Sequence, residues 1–515
     1  MKKNIIFLAI IYFLLTACTD SFLVVNSEQN MLESNFYSTT NNMEKALVAA
    51  YDPLKWPDWY NGQYCPLPFT ADVMSDDVLV GGSGESDMDY FHLMRKFSAT
   101  PLKNVTGIWA AFYTGINRAN IVIEKMPNVT DITAERKDQM LSEAHALRAY
   151  YYTWLWKFWG NVPYFDVNVN SAPYSAPQIT ADALYAHIIT DIDYALASTN
   201  LTNSVTDVTQ KGRITKDMIR MLKAEVVLYQ KDASKYAETL TELESAISSG
   251  RYSLADNFAT IFTDAGEWNS ESIWEINYTD QGTRDWASDT NPDGPIHAGG
   301  TVFPMVIGIN SCTGPDYVSG WGFEPVAAGL YNAYETGDQR KDGGILNFAA
   351  YKLTTSTANY VPRYEDTGYF NLKYLGRQGY STGNNTAALN FRNNLRIYRY
   401  SEMLLYAAEL QVRTSGSGAQ AHLDELRNKR FGVTDNSHSI TATLDNVITE
   451  RRLELALEGK RFWDLVRCDG DANVSAANKA TSVLGSRGYT NNKKYLPIPQ
   501  SEIDKSESIL TQNPY

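Results

Sequence analysis

The feature that most constrains this chain is the stretch Ala134 to Trp159, where apolar residues recur at steps of three and four through Leu147, Tyr151, Trp154, Leu155 and Phe158, with Gly160 as a stop. The aromatic run Trp154, Trp156, Phe158 and Trp159 spreads its rings over most of such a helix, so packing between helices explains it better than a sugar platform does. Shorter patterns of the same period surround it. Thr40 to Tyr51 places Met43, Leu47, Ala50 and Tyr51 on one face before Pro53 and Pro57, and a second region from Leu102 to Met126 carries Ile108, Ala111, Phe112, Gly115, Ile116 and Ala119 before Pro127. Further helices are predicted at Ala181 to Ala197, Thr215 to Gln230 and Ser234 to Ser249, the last capped by Gly250. Helices of about 15 to 20 residues in series are the raw material of stacked hairpins of the tetratricopeptide type, although the strict repeat signature of roughly 34 residues is absent.

From Ile273 to Leu395 Gly, Pro, Asn, Thr and Tyr dominate and predict short strands, few helices and long loops, where binding sites tend to sit. Helices return at Ile397 to Thr414, Ala419 to Lys429 and Thr443 to Arg467. The expected fold class is mainly α, with tetratricopeptide-like stacked helical hairpins as scaffold and a loop-rich, short-strand region laid over one face. Residues 40–515 are read as one integrated domain, 40–270 its helical N-terminal part and 271–515 its loop-rich and helical C-terminal part.

The amino terminus sets the compartment. Lys2 and Lys3, an apolar core from Ile5 to Leu15, and then Leu15-Thr16-Ala17-Cys18 read as a lipoprotein signal peptide over 1–17 with Cys18 as the lipidated residue and 18–39 as a tether. The apolar run is too short to span a bilayer comfortably. In an oxidising compartment the remaining Cys65, Cys312 and Cys468 are odd in number and lack metal-ligand spacing, so all three are expected to be buried and inert. A net charge of −14 with no basic run argues against nucleic acid as the main partner.

Four segments together resemble the SusD/RagB family of outer-membrane nutrient-binding lipoproteins of Bacteroidetes. They are Glu143 to Phe165 (EAHALRAYYYTWLWKFWGNVPYF), Ile247 to Tyr278 ending in ESIWEINY, Arg399 to Glu409 (RYSEMLLYAAE), and Glu450 to Arg467 (ERRLELALEGKRFWDLVR) followed by YLPI at Tyr495 to Ile498 and a QNPY end. Relatives commonly carry a glycine before the terminal tyrosine, where this chain has Pro514. The resemblance implies a non-catalytic surface protein that binds oligosaccharide and delivers it to a partner SusC-like TonB-dependent transporter in the outer membrane. An oligopeptide-binding relative feeding a peptide transporter is the alternative.

In the fourth segment Glu450, Glu454 and Glu458 are spaced to share one helix face, with Arg451, Arg461 and Arg467 at hand to neutralise them. An ion-pair network pinning this helix to neighbours such as Arg399 to Glu409 is preferred over a metal site, since no histidine joins it. Catalytic signatures are missing: no HExxH among the six histidines, no GxSxG, no P-loop and no GxGxxG. A glycosidase carboxylate pair is not excluded by sequence, and nothing points to one.

Sugars are held by aromatic rings against their C–H faces and by polar side chains at their hydroxyls. The family's ligand loops correspond here to Asp72 to Lys103 and Thr279 to Trp321, which contain Tyr90, Phe91, His92, Arg95, Trp286, Asp289, Asn291, Tyr317 and Trp321. Trp286, in the polar loop GTRDWASDTN, has no periodic reason to be buried and ranks first. Trp321, in Gly320-Trp321-Gly322, resembles a structural turn, and Trp56 and Trp59 offer a second platform. No cofactor is expected. Asp289, Asn291 and Asp293 match the opening of a calcium loop, but Gly300 stands where its bidentate glutamate belongs, so an Asx-stabilised turn is preferred to calcium.

Overall fold

A computed structural model describes residues 36–170, 174–286, 299–383 and 386–515. Cys18, Asp289, Asn291 and Asp293 lie outside the described residues. The first six long helices are α1 (Thr40–Tyr51), α2 (Gly107–Lys125), α3 (Ala134–Trp159), α4 (Ala181–Ala197), α5 (Lys216–Gln230) and α6 (Tyr236–Ser248). Four of these starts share one device: Thr39, Thr133, Thr180 and Thr215 each accept a hydrogen bond from the backbone N–H three residues on. Threonine does this because its short side chain reaches the unpaired amides of a first turn. Gly160 ends α3 at φ 69, a conformation that also admits the ring of Tyr495 where a Cβ would stand.

Helices adjacent in sequence are adjacent in space. α2 packs on α1 and α3, α3 on α4, α4 on α5 and α5 on α6. The stripe on α2 predicted from its period is buried, and so are Trp156, Phe158 and Trp159 on α3. Trp154 is half-buried, with the Lys157 ammonium between its ring and that of Trp463, 4.4 and 4.7 Å from the two centroids.

The fold is mainly helical, with six short strands in three antiparallel pairs among the described residues. β1 (Val162–Pro163) pairs with β2 (Gln178–Ile179), β3 (Ser272–Ile276) with β6 (Leu395–Arg399), and β4 (Ile345–Asn347) with β5 (Tyr369–Asn371). The loop-rich middle holds more helix than its composition suggests, in short pieces at Phe303–Ile307, Gln339–Gly344 and Phe348–Thr354. The helices α7 (Tyr400–Arg413), α8 (Ala419–Phe431), α9 (Leu444–Leu455) and α10 (Arg461–Cys468) follow, with α7 packed on α6, α8 and α9.

Two expectations are corrected here. The predicted helix from Ile397 begins as β6, because residues 395–399 pair with β3 before the chain turns helical at Tyr400. The predicted helix Thr443 to Arg467 is two helices, separated by a turn in which Leu457 and Gly459 have φ of 66 and 74. A Cβ on Gly459 would sit 2.8 Å from the Pro68 backbone, so the break lets two segments meet closely.

The Glu450, Glu454 and Glu458 cluster is a buried ion-pair network that pins α9 to the Arg399 to Glu409 segment as expected, but Glu458 belongs to the turn, and Arg451, Arg461 and Arg467 are not the cations that neutralise the three glutamates. Glu450 accepts from Arg340 at 2.6 Å and Arg427 at 2.7 Å, Glu454 from Arg399 at 2.9 Å and Arg430 at 2.8 Å, and Glu458 from Arg399 and Lys373 at 2.7 Å each. Arg451 and Arg467 instead hold Asp464, at 3.1 and 2.7 Å, and Arg461 holds Asp76 at 2.9 Å. Burial would push the Glu454 carboxyl up, yet Arg430 and Arg399 outweigh it and hold it well below the ordinary range. Charges this deep are tolerated because every carboxylate is multiply hydrogen-bonded. The network joins β6, α8, α9 and the Asp338–Arg340 turn. Among the described residues no group of His, Cys, Asp and Glu is arranged to hold a metal ion.

Cys65, Cys312 and Cys468 are free thiols. Cys65 and Cys468 are buried, and burial pushes the Cys468 thiol up to about 12. Cys312 is only half-buried, because it lies in the loop layer and not between helices, which corrects the expectation for that residue.

Candidate binding site

The site is built around a hairpin. Tyr60-Asn61-Gly62-Gln63 closes with two backbone bonds, Tyr60 N–H to Gln63 O at 3.0 Å and the reverse at 3.1 Å, and Asn61 and Gly62 sit at φ 54 and 72. That is the type I′ turn that Asn-Gly favours, and it sets the flanking residues Trp59 and Tyr64 opposite one another. Their rings stack at 5.1 Å with 29° between planes. Gln63 fixes the hairpin to the scaffold, its Oε1 accepting from the N–H groups of Thr106 at 2.7 Å and Gly107 at 3.2 Å at the start of α2.

Two rings from the loop-rich middle complete the cluster. Trp286 lies 5.9 Å from Trp59 and 6.2 Å from Trp321, and Trp321 meets Tyr64 edge-on at 5.0 Å. Exposure rises across the group: Trp59 is buried, Tyr64 and Trp321 are half-buried, and Trp286 is 48% exposed. A ring that keeps half its surface in water while resting on other rings has an apolar face to offer and little freedom to lose on binding.

The chain beside each ring is anchored beneath it. Asp58 is buried and accepts from the Thr301 hydroxyl. Burial pushes its carboxyl up, opposed by Arg284, Thr301 and Tyr278. Arg284 is fully buried two residues before Trp286. Trp321 is held by its backbone, donating to Met305 O at 2.8 Å and accepting from Arg363 at 2.9 Å. Gly308 and Gly320 cross there so closely that a Cβ on Gly320 would lie 2.4 Å from the Gly308 Cα. The structural turn expected around Trp321 is therefore present, and it delivers the ring to the cluster.

The structure distributes the other predicted residues unevenly. Tyr90 abuts the site, its hydroxyl donating to the Tyr64 carbonyl at 3.3 Å. Phe91 is core, against Phe69. His92 is buried beside Tyr364, 5.6 Å between rings, and Arg95 pairs with Glu365 at 3.8 Å, so both serve a neighbouring loop and not the tryptophan cluster. Tyr317 is buried in a separate small core with Ile309, Phe348 and Phe370. His92 and Tyr317 thus lose their place as exposed contacts, because the segments carrying them fold inward. Trp56 is buried under Arg118, whose guanidinium stands 4.6 Å from its ring, and its indole N–H donates to Asp52 at 3.0 Å. Trp56 is structural, and Trp59 joins Trp286 in one platform where two were expected. Tyr64 was missed, although the Asn-Gly turn between Trp59 and Tyr64 was the signal for their pairing.

Two family models match the chain, one described as the SusD family over residues 270–515 and one described as starch-binding associating with outer membrane over residues 21–219. Among solved structures, surface glycan-binding protein A from Bacteroides thetaiotaomicron in complex with laminarihexaose is 40% identical, with a TM-score of 0.84 over 93% of this chain and 100% of that one. A laminarin-binding SusD-like protein is 30% identical, with a TM-score of 0.81 over 93% of this chain and 100% of the other. SusD-like protein P38 of Formosa agariphila is 26% identical, the alignment spanning 100% of both chains.

Proposed function

We propose that this chain, which belongs to the SusD family, captures glycan at the cell surface on the Trp59, Tyr64, Trp286 and Trp321 cluster and performs no chemistry on it. The observation that carries the reading is Trp286, half-exposed and seated on rings from two other parts of the chain. The faces of a sugar ring are C–H surfaces, and a rigid aromatic floor binds them at low entropic cost. Oligosaccharides of the laminarin type are the first candidates, since two solved relatives are named for that ligand. Asp58, the acid that adjoins Trp59, is turned inward to Thr301.

The lipid on Cys18 would hold the protein at the outer membrane, beside a SusC-like TonB-dependent transporter that receives the glycan. Tethering raises the local concentration, so modest affinity per site suffices. Among the described residues no helix is long and apolar enough to cross a membrane.

Isothermal titration of the folded protein against laminari-oligosaccharides, other glycans and peptides tests this. Saturable sugar binding that Trp286→Ala removes, with the melting temperature unchanged, is the expected result. Binding of peptides alone, or turnover of the sugar, would overturn it.

A further inference from the structure

The two faces of the Tyr60 to Gln63 hairpin carry different things. Alternation along its arms puts Trp59 and Tyr64 on the face that meets Trp286 and Trp321, and Tyr60 and Gln63 on the other. Beyond Tyr60, on that second face, a recess of about 120 Å³ is lined by Asn61, Thr106 and Pro499. It shares Trp109, Ala110, Glu502 and Lys505 with a much larger cleft of about 790 Å³ between α2, the segment after β1 and the C-terminal residues 502–510. That volume lies within the range, roughly 300–1,000 Å³, of sites that enclose a small ligand.

The cleft has the chemistry of a saccharide site. Its floor is apolar and aromatic, with Tyr113 and Phe165 half-buried, and Tyr174 stands 70% exposed at its edge. Asn117, Ser175 and the Glu502–Lys505 ion pair at 3.0 Å supply hydrogen-bonding groups. Tyr60 and Asn61 of the hairpin line the recess that adjoins the cleft, and Trp59 and Tyr64 at the same hairpin belong to the cluster. Asn61 and Gly62 are exposed at the hairpin tip, and a Cβ on Gly62 would meet nothing within 4 Å, so the tip is open to solvent.

We infer that the cleft is a second glycan subsite, which takes the distal units of a chain whose other end lies on the tryptophan cluster and which crosses the hairpin at Asn61–Gly62. The inference rests on the glycan reading of the first site and adds to it a length requirement. A short oligosaccharide occupies the cluster alone, whereas a longer one reaches Tyr174 and gains its contact without a second loss of translational freedom. Nothing in the sequence pattern marks this cleft, since its described lining comes from α2, from Phe165, Val169, Tyr174 and Ser175, and from residues 502–510 near the end of the chain.

The test is titration of wild type, Tyr174→Ala and Trp286→Ala with laminaritriose, laminarihexaose and laminarin. Tyr174 is exposed, so its removal leaves the fold intact. For Tyr174→Ala the expected result is unchanged triose affinity and a loss of roughly fivefold for laminarin, the worth of one aromatic contact. Trp286→Ala should weaken all three. Wild-type binding whose dependence on length is the same in Tyr174→Ala would overturn the second subsite and leave the first standing. No binding of any of the three by the wild type would overturn this inference together with the laminarin reading on which it rests. A cleft that takes an apolar dye but no sugar, with Tyr174→Ala changing only the dye, would assign it to a different ligand and overturn the inference.

Discussion

Two groups of tryptophans in this molecule have opposite fates. On α3, Trp156 and Trp159 are sealed between helices, Trp159 meeting Trp109 edge-on at 5.2 Å with its indole N–H on Pro497 O at 3.1 Å. In the cluster of Trp59, Trp286 and Trp321, the rings arrive on a hairpin and two loops, and one keeps half its surface in water. The same side chain is therefore sealed in the core in one place and kept partly at the surface in the other. What separates the two cases is the element that carries the ring. A long helix at regular period must bury its apolar face, while a loop pinned by backbone bonds can hold a ring at the surface.

The comparison breaks most visibly at Trp159. Trp159→Ala should cost about 3–5 kcal/mol, the range for emptying a large buried aromatic site, with the folded fraction binding glycan as before. Chemical denaturation read beside titration checks both halves, and a loss of affinity in the folded protein would dissolve the distinction. A smaller effect of opposite kind is expected at Trp321. Trp321→Ala should weaken glycan binding by roughly fivefold, and the midpoint of unfolding should move little because the Gly308–Gly320 crossing and the Arg363 bond to the backbone remain.

A third effect, read in stability against pH, concerns the acid three residues beyond Trp321. Burial pushes the Glu324 carboxyl up to about 8, opposed only by the Asn371 amide, which donates to it at 2.7 Å. Asp72 is also raised, by burial and then by Glu324 and Asp77. A folded-state value above the ordinary 4.5 means the stability is present in full below 4.5 and is lost as pH rises toward 8. Thermal unfolding should accordingly show stability falling by roughly 3–4 kcal/mol between pH 5 and 8, and Glu324→Gln should flatten that slope. An equal slope in the variant would place the titrating group elsewhere.

Much of the scaffold was legible because helical period survives any tertiary context. α1 and α4 were read to their last residues, and α5 was read one residue too long at its start, where Thr215 is the cap. The break after Leu455 was not legible: Leu457 adopts φ 66 so that Gly459 can pack on Pro68, a partner nearly 400 residues away in the chain. The ion partners of Glu450 and Glu454 were misread in part for the same reason. The Arg399 to Glu409 segment was named as a neighbour and Arg399 does bond Glu454, but arginines near in sequence were assumed to neutralise the glutamates, where the geometry brings Arg340, Arg427 and Arg430 as well.

Of the candidate site, composition picked out Trp286 because a tryptophan in a polar, aperiodic loop has no helix to be buried in, and Trp321 followed from its place in the family pattern. His92 and Tyr317 came from windows alone, and windows carry no information about which way a side chain faces. The sequence by itself determined the helical scaffold and the family, since period, caps and motif spacing are local properties that each segment carries with it. Only the tertiary structure decided which rings meet. Trp59, Tyr64, Trp286 and Trp321 come together because a type I′ turn, a glycine crossing and the buried Asp58 and Arg284 fix three distant segments against one another, and such contacts between distant segments leave no periodic trace in any one of them.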